Sequence, residues 1–174
     1  MDEKWIFRQA LPHEAPLAMQ IIRQAQARMR AAGSSQWQDG YPALEHISAD
    51  IGRGNGYVLC RPGARECRTI IAYGAAVFDG EPAYEALEGE WLTDGPYVVV
   101  HRIAVADGEC GKGVAAEFLR RVEEMARERG VGAFRIDTNH DNRPMLRLLE
   151  RMGFTPCGKV VYRSGERLAF EKRL

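Results

Sequence analysis

Nine residues near the middle of the chain, YVVVHRIAV (97–105), are almost continuous in apolar and β-branched side chains. A run without polar alternation predicts a strand buried on both faces, and such a strand needs a sheet with helices packed on either side. It leads into DGECGKGVA (107–115), which holds three glycines and a lysine, and then into AAEFLRRVEEMARERG (115–130). Phe118, Val122, Met125 and Ala126 recur there at helical spacing, and Gly130 supplies a stop signal. A buried strand, a glycine-rich turn and a helix therefore sit in immediate succession.

The flanking sequence fills in the architecture. Trp5 to Ala10 predicts a first strand. A helix follows over 16–31, with Leu17, Ile21, Ala25 and Met29 on one stripe and Gly33-Ser34-Ser35 at its end. A second helix is predicted over 43–51, with Leu44, Ile47 and Ile51 inward. YVLCR (57–61) and TIIAYGAAVF (69–78) predict strands, whereas the glutamate-rich stretch 79–96 fits a short helical turn or an excursion over the sheet. AFRIDT (133–138) predicts another strand. A short helix is predicted over 142–152, with Pro144 in its first turn and Gly153 at its end. The chain closes on a hairpin around Ser164-Gly165. The order predicts an α/β or mixed α+β sheet with helices on its faces. The 174 residues suffice for one core and fall short of two, so a single domain over 1–174 is expected.

Lys plus Arg and Asp plus Glu number 24 each, so no bulk charge favours nucleic acid or an anionic membrane as partner. No apolar stretch approaches the roughly 18–20 residues that span a bilayer. The start, MDEKWIFRQ, lacks the apolar core of a signal peptide. A cytoplasmic location is the expectation. Cys60, Cys67, Cys110 and Cys157 form no CxxC pair. Reduced thiols, with no metal site, are expected of them.

The glycine turn reads either as a plain strand-to-helix connection or as a cradle for phosphate groups. Glycines at a helix start let the backbone approach an anion, and the first helical N–H groups attract one. Familiar nucleotide motifs do not fit. A Walker A loop needs Ser or Thr after Gly111-Lys112, where Gly113 stands, and a glycine at the position of Ala106. The dinucleotide pattern begins at Gly111 and Gly113 but meets Ala116 in its third place.

These residues do resemble the GNAT superfamily of acyl-CoA-dependent N-acetyltransferases. Ile103-Ala104-Val105 is similar to the triplet that ends the family's central strand. Cys110-Gly111-Lys112-Gly113-Val114-Ala115 is similar to its Gln/Arg-x-x-Gly-x-Gly/Ala loop. NRPMLRLLERMGF (142–154) is similar to its Asn-x-x-Ala-x-x-Leu-Tyr-Glu-Lys-x-Gly-Phe motif at Asn142, Leu148, Glu150, Gly153 and Phe154. Three positions depart from the pattern. Cys110 replaces Gln or Arg, Met145 replaces a small alanine, and Leu149 stands where many members carry a tyrosine that protonates the leaving thiolate. Leucine cannot donate a proton, so another acid, solvent or none must serve.

The resemblance implies a GNAT-like central mixed sheet of about six to seven strands with about four helices around it. It implies acetyl-CoA as cosubstrate. The pantetheine arm would pair with the backbone of Ile103, Ala104 and Val105, and the diphosphate would sit on Cys110, Gly111, Lys112, Gly113, Val114 and Ala115. Asn142 would touch the cofactor arm, or cap its own helix. The acceptor would be a primary amine of a small molecule or peptide, attacking the thioester directly.

An amine of pKa ~10.4 arrives protonated and needs a base. His101 is a candidate, because the period-2 rule places it on the face of Ile103; it also fits a hydrogen-bonded sheet histidine. Asp137 is a second candidate, and fits equally a helix cap or a partner for Arg102. Trp37 and Tyr41, between the first two helices, would wall the acceptor pocket or pack that loop down. A homodimer is compatible with the family. The alternative function is an acyl-CoA-binding protein with weak or lost catalysis.

Overall fold

A computed structural model describes residues 4–63 and 67–174, with the side chains of 67 and 68 also outside the description. In chain order the elements are β1 (Ile6–Gln9), α1 (Ala15–Ala31), α2 (Leu44–Gly52), β2 (Gly56–Pro62), β3 (Cys67–Val77) and β4 (Glu88–Gly89). They continue with β5 (Val98–Val105), α3 (Val114–Glu128), β6 (Ala133–Thr138), α4 (Arg143–Arg151), β7 (Thr155–Tyr162) and β8 (Gly165–Arg173). The strands follow the order β1-β2-β3-β5-β6-β8-β7-β4. By contact density the chain divides into two units, one formed by Met1–Ala76 with His101–Arg121, the other by Val77–Val100 with Val122–Leu174. Among the described residues there are eight strands, against the expected six to seven. The glutamate-rich stretch accounts for this: it forms a short 3-10 turn at Pro82–Ala86 and the two-residue strand β4.

In the first unit β1 and β2 pair antiparallel, Phe7 opposite Leu59, and β2 pairs antiparallel with β3. Ala18, Ile21, Ile22 and Ala25 place one face of α1 in the core, with Ile47 and Ile51 of α2 and Val58, Tyr73 and Ala104 from the strands. The spacing i, i+3, i+4, i+7 is that of an amphipathic helix laid on a sheet. Phe118 of α3 meets Phe7 edge to face, ring centres 5.3 Å apart. Gly74 on β3 is required by that approach, because a Cβ there would stand 2.7 Å from the Phe118 ring.

In the second unit Val98, Val99 and Val100 of β5 are buried, as a strand covered on both faces should be. β5 runs parallel to β6, with Val98 opposite Phe134 and Val99 opposite Arg135. The remaining pairs are antiparallel: β6 with β8, β8 with β7, and β7 with β4. The sheet is therefore mixed. Arg135 is buried with Glu171, Nε to Oε2 3.2 Å, and its guanidinium lies 4.2 Å from the Trp91 ring centre and 4.0 Å from that of Tyr97. A buried charge survives only when paired and hydrogen-bonded, and Arg135 has both conditions met. Among the described residues, no helix is long and apolar enough to cross a membrane.

Cys60 corrects the expectation of reduced thiols, since it is disulfide-bonded. Cys110 and Cys157 are free, and the Cys67 side chain lies outside the described residues.

Candidate active site

The glycine turn takes the geometry that its composition suggests. Gly111 and Gly113 adopt φ 78° and 83°, in the left-handed region, and α3 begins at Val114. A Cβ built on either glycine would meet nothing within 4 Å. Packing therefore does not demand glycine there; backbone conformation does, and the space above both is open. The Glu117 N–H is bonded to the Gly113 carbonyl. The N–H groups of Val114, Ala115 and Ala116 precede that first bond and have no acceptor in their own helix. Val114 is buried, so its contribution to a ligand at this turn would be its N–H alone.

Side chains hold the turn in place. Arg28 of α1 pairs with Asp107 and donates from Nη2 to the Val105 carbonyl at 2.6 Å, while Gln24 accepts the Asp107 N–H at 2.8 Å. Glu109 is shared between Arg61 and Lys112, the latter at 3.6 Å. Both acidic groups of the turn are thus offset by cations, with three cations to two carboxylates, and the turn suits an anion. Cys110 is exposed, and its thiol points to the Ala106 carbonyl at 3.6 Å.

Arg102, inside β5, has φ 54°. Left-handed backbone is uncommon for arginine and persists only where surrounding contacts impose it. Here Nε and Nη2 donate to the two oxygens of Asp50 at 2.7 and 2.6 Å, and Nη1 donates to the Tyr41 hydroxyl at 2.7 Å. The Tyr73 hydroxyl donates to the same Asp50 at 3.0 Å. Burial opposes the Arg102 charge, but the Asp50 carboxylate outweighs it and raises the guanidinium further above its usual range. Burial, then the Asp50 charge, raises the Tyr73 phenol as well. Asp50 thereby takes the partner that was open to Asp137. His101 is half-buried on β5. The regular alternation that put it on the face of Ile103 does not run through Arg102. Ala104 is buried, whereas Ile103 and Val105 are half-buried.

Tyr41 is half-exposed, and its ring lies 4.8 Å from that of His46, edge on. Trp37 packs against the core cluster of α1 and α2 and has φ 60°.

In the second unit Asp137 closes on two phenols. Its Oδ2 accepts the Tyr84 hydroxyl at 2.7 Å and the Tyr162 hydroxyl at 2.9 Å. Asn142 caps α4, its side-chain oxygen accepting the Met145 N–H at 3.4 Å. Leu149 is fully buried, so the position of the family's tyrosine faces the core. Motif and periodicity do not single out Asp50, Tyr73, Tyr84 or Tyr162. Only Arg102, a charge inside an apolar strand, signals that a buried counter-ion is needed.

The profile of the acetyltransferase (GNAT) family matches residues 20–154. Streptothricin acetyltransferase of Streptomyces lavendulae is 31% identical over 117 residues, which is 67% of this chain and 60% of that protein. The chain thus spans about 60% of the length of this curated relative. A GNAT-family acetyltransferase of Streptococcus agalactiae superposes with a TM-score of 0.86 at 34% identity, covering 98% of this chain and 95% of the other. The yncA protein of Salmonella typhimurium, solved with its cofactor acetyl-CoA, superposes with a TM-score of 0.65 at 17% identity, covering 99% and 95%. At that identity it shows the fold alone. The matched span takes in β5, the glycine turn, α3 and α4. The chain belongs to the acetyltransferase (GNAT) family.

Proposed function

We propose that the protein transfers an acetyl group from acetyl-CoA to a primary amine of a small molecule or peptide. The observation that carries this reading is the turn Gly111–Gly113, left-handed at both glycines and open above them, at the start of α3. Bound acetyl-CoA supplies the acetyl group as an activated thioester. Gly111, Lys112, Gly113, Val114 and Ala115 hold its diphosphate through backbone N–H groups and the Lys112 charge, with Cys110 at the rim. Backbone of Ile103, Ala104 and Val105 orients the pantetheine arm, and an N–H there polarises the carbonyl under attack. Asn142 serves the cofactor arm from the cap of α4. His101, or a water chain, takes the proton that the ammonium must lose before it can attack, and Asp137 is the second catalytic group. Tyr41 and Trp37 line the acceptor side. The acetyl-CoA of the yncA structure and the name of the streptothricin relative support this assignment. The protein is proposed to act in the cytoplasm as one domain, with a homodimer compatible with the family.

The test is calorimetric titration with acetyl-CoA, followed by thiol release over a panel of amines. His101→Ala should depress the rate at pH 7 more than at pH 9, and an unchanged profile would remove His101 from the mechanism. Leu149, buried and without a proton to give, favours a second reading: an acyl-CoA-binding protein with weak catalysis. Tight acetyl-CoA binding with no turnover on any amine would select it.

A further inference from the structure

Asp137 is a half-buried carboxylate whose hydrogen bonds are unequally divided. Both phenols, Tyr84 at 2.7 Å and Tyr162 at 2.9 Å, converge on Oδ2. Neither reaches Oδ1. Tyr84 comes from the 3-10 turn at Pro82–Ala86 and is buried, and its backbone carbonyl accepts the Trp91 indole N–H at 3.0 Å. Burial, and then the Asp137 charge, pushes its phenol well above the usual value of 10. Tyr84 therefore keeps its proton and donates, and the carboxylate is the fixed acceptor.

The cations nearest in the sheet are committed elsewhere. Arg135 shares the face of Asp137, two residues earlier on β6, but pairs with Glu171 and donates from Nη2 to the Thr93 carbonyl at 2.7 Å. Arg167 on β8 donates to Asn139 and to Ser164. Among the described residues Asp137 has no ion-pair partner. Its surroundings supply two dipoles that hold it and no positive charge that neutralises it. A carboxylate so placed is complementary to a cation that the protein itself does not provide.

We propose that Asp137 Oδ1 docks the ammonium group of the acceptor, and that Tyr84 and Tyr162 are positioning residues that fix the carboxylate for it. This deepens the amine-acceptor reading and rests on it. It narrows the acceptor to alkylamines that arrive charged, as against arylamines that are neutral at pH 7. Tyr162 packs against the core cluster of Tyr84, Val99, Val160 and Ala169, so its part in the site is the hydroxyl that holds Oδ2.

The experiment is direct binding, independent of turnover and of acetyl-CoA. Wild-type protein is titrated with n-butylammonium and with n-butanol at pH 7, and the Tyr162 ring resonances are followed by NMR. Saturable shifts with n-butylammonium alone are expected. Asp137→Asn should weaken binding at least tenfold, and Tyr84→Phe and Tyr162→Phe about threefold or more, with native spectra otherwise. Equal binding of n-butanol, or unchanged affinity in Asp137→Asn, would overturn the proposal. Where the enzyme turns over, Asp137→Asn should act mainly by raising KM for an alkylamine; a loss carried by kcat would assign Asp137 to proton removal and refute a docking role. If acetyl transfer is absent altogether, the amine-acceptor reading fails while the ammonium titration still decides this one.

Discussion

Replacing Gly113 by alanine separates what the glycine turn does for folding from what it does for the ligand. At φ 83° an L-residue loses about 1–2 kcal/mol relative to the right-handed region. The reduced freedom of the unfolded chain returns about 0.4–1 kcal/mol. A new Cβ would meet nothing within 4 Å, so no clash adds to this. The net loss is about 1 kcal/mol, which for a chain of 174 residues lowers Tm by roughly 2–4 °C. The ligand is affected differently. On the proposed function, the methyl group would stand in the open space through which a diphosphate would approach the Val114 N–H, and a displaced phosphate would cost at least ~1.4 kcal/mol, or tenfold in Kd. Scanning calorimetry gives the first quantity and titration with acetyl-CoA the second. A variant with the expected drop in Tm and a Kd within twofold of wild type would show that the turn is only a connection, and the enzyme assignment would lose its main support.

Asp50→Asn leaves the half-buried Arg102 guanidinium without its buried counter-charge and should cost about 3 kcal/mol, read from the urea midpoint; a loss below about 1 kcal/mol would mean that Arg102 is neutralised otherwise. Glu14 lies buried with Arg8, Nη1 to Oε1 2.8 Å, and accepts the Leu11 N–H at 2.8 Å. The Arg8 guanidinium, against the opposing effect of burial, holds its carboxyl below the usual carboxylate range. A depressed folded-state pKa adds stability above the unfolded value of 4.5 and loses it as pH falls through the folded one. Glu14→Gln should therefore lower stability by about 1–3 kcal/mol at pH 7, with the gap to wild type closing below pH 4.5; a gap constant with pH would contradict the ion pair. Leu149→Tyr, which places the family's acid in a fully buried position, should cost about 1–3 kcal/mol by overpacking and bring no gain in rate, so a faster enzyme of normal Tm would show that this position opens onto the reaction.

The parts of the fold encoded over short stretches are legible in the amino-acid order alone. YVVVHRIAV, the glycine turn and the stripe Phe118, Val122, Met125 and Ala126 are each one local decision. β5 and α3 stand where periodicity puts them, with α3 at Val114–Glu128. The 3-10 turn and β4 are harder, because glutamates and small residues between Asp79 and Pro96 carry neither helical nor strand period. Contacts across long separations leave no local trace. Asp50 and Arg102 lie 52 positions apart, and Tyr84 and Asp137 lie 53 apart. The left-handed turn at Arg102 also defeats the alternation used to orient His101, since a period of two assumes extended backbone throughout. The Cys60 disulfide escapes for another reason: compartment and spacing, the grounds for expecting thiols, do not report which sulfurs meet in the folded chain.

The clamp of α1 on the turn after β5 links the two ends of the proposed site. Gln24 and Arg28 reach residues 105–107 from a helix whose next turns feed directly into the Trp37 and Tyr41 loop. That loop is tied to β5 as well, through the bond of Tyr41 with Arg102, and to α1 through Gln26 and Arg30. On the proposed function, libraries that randomise residues 32–40 and hold Gln24, Arg28 and Tyr41 constant should alter acceptor choice and spare the cofactor turn, whereas shuffling the whole helix would disturb both at once.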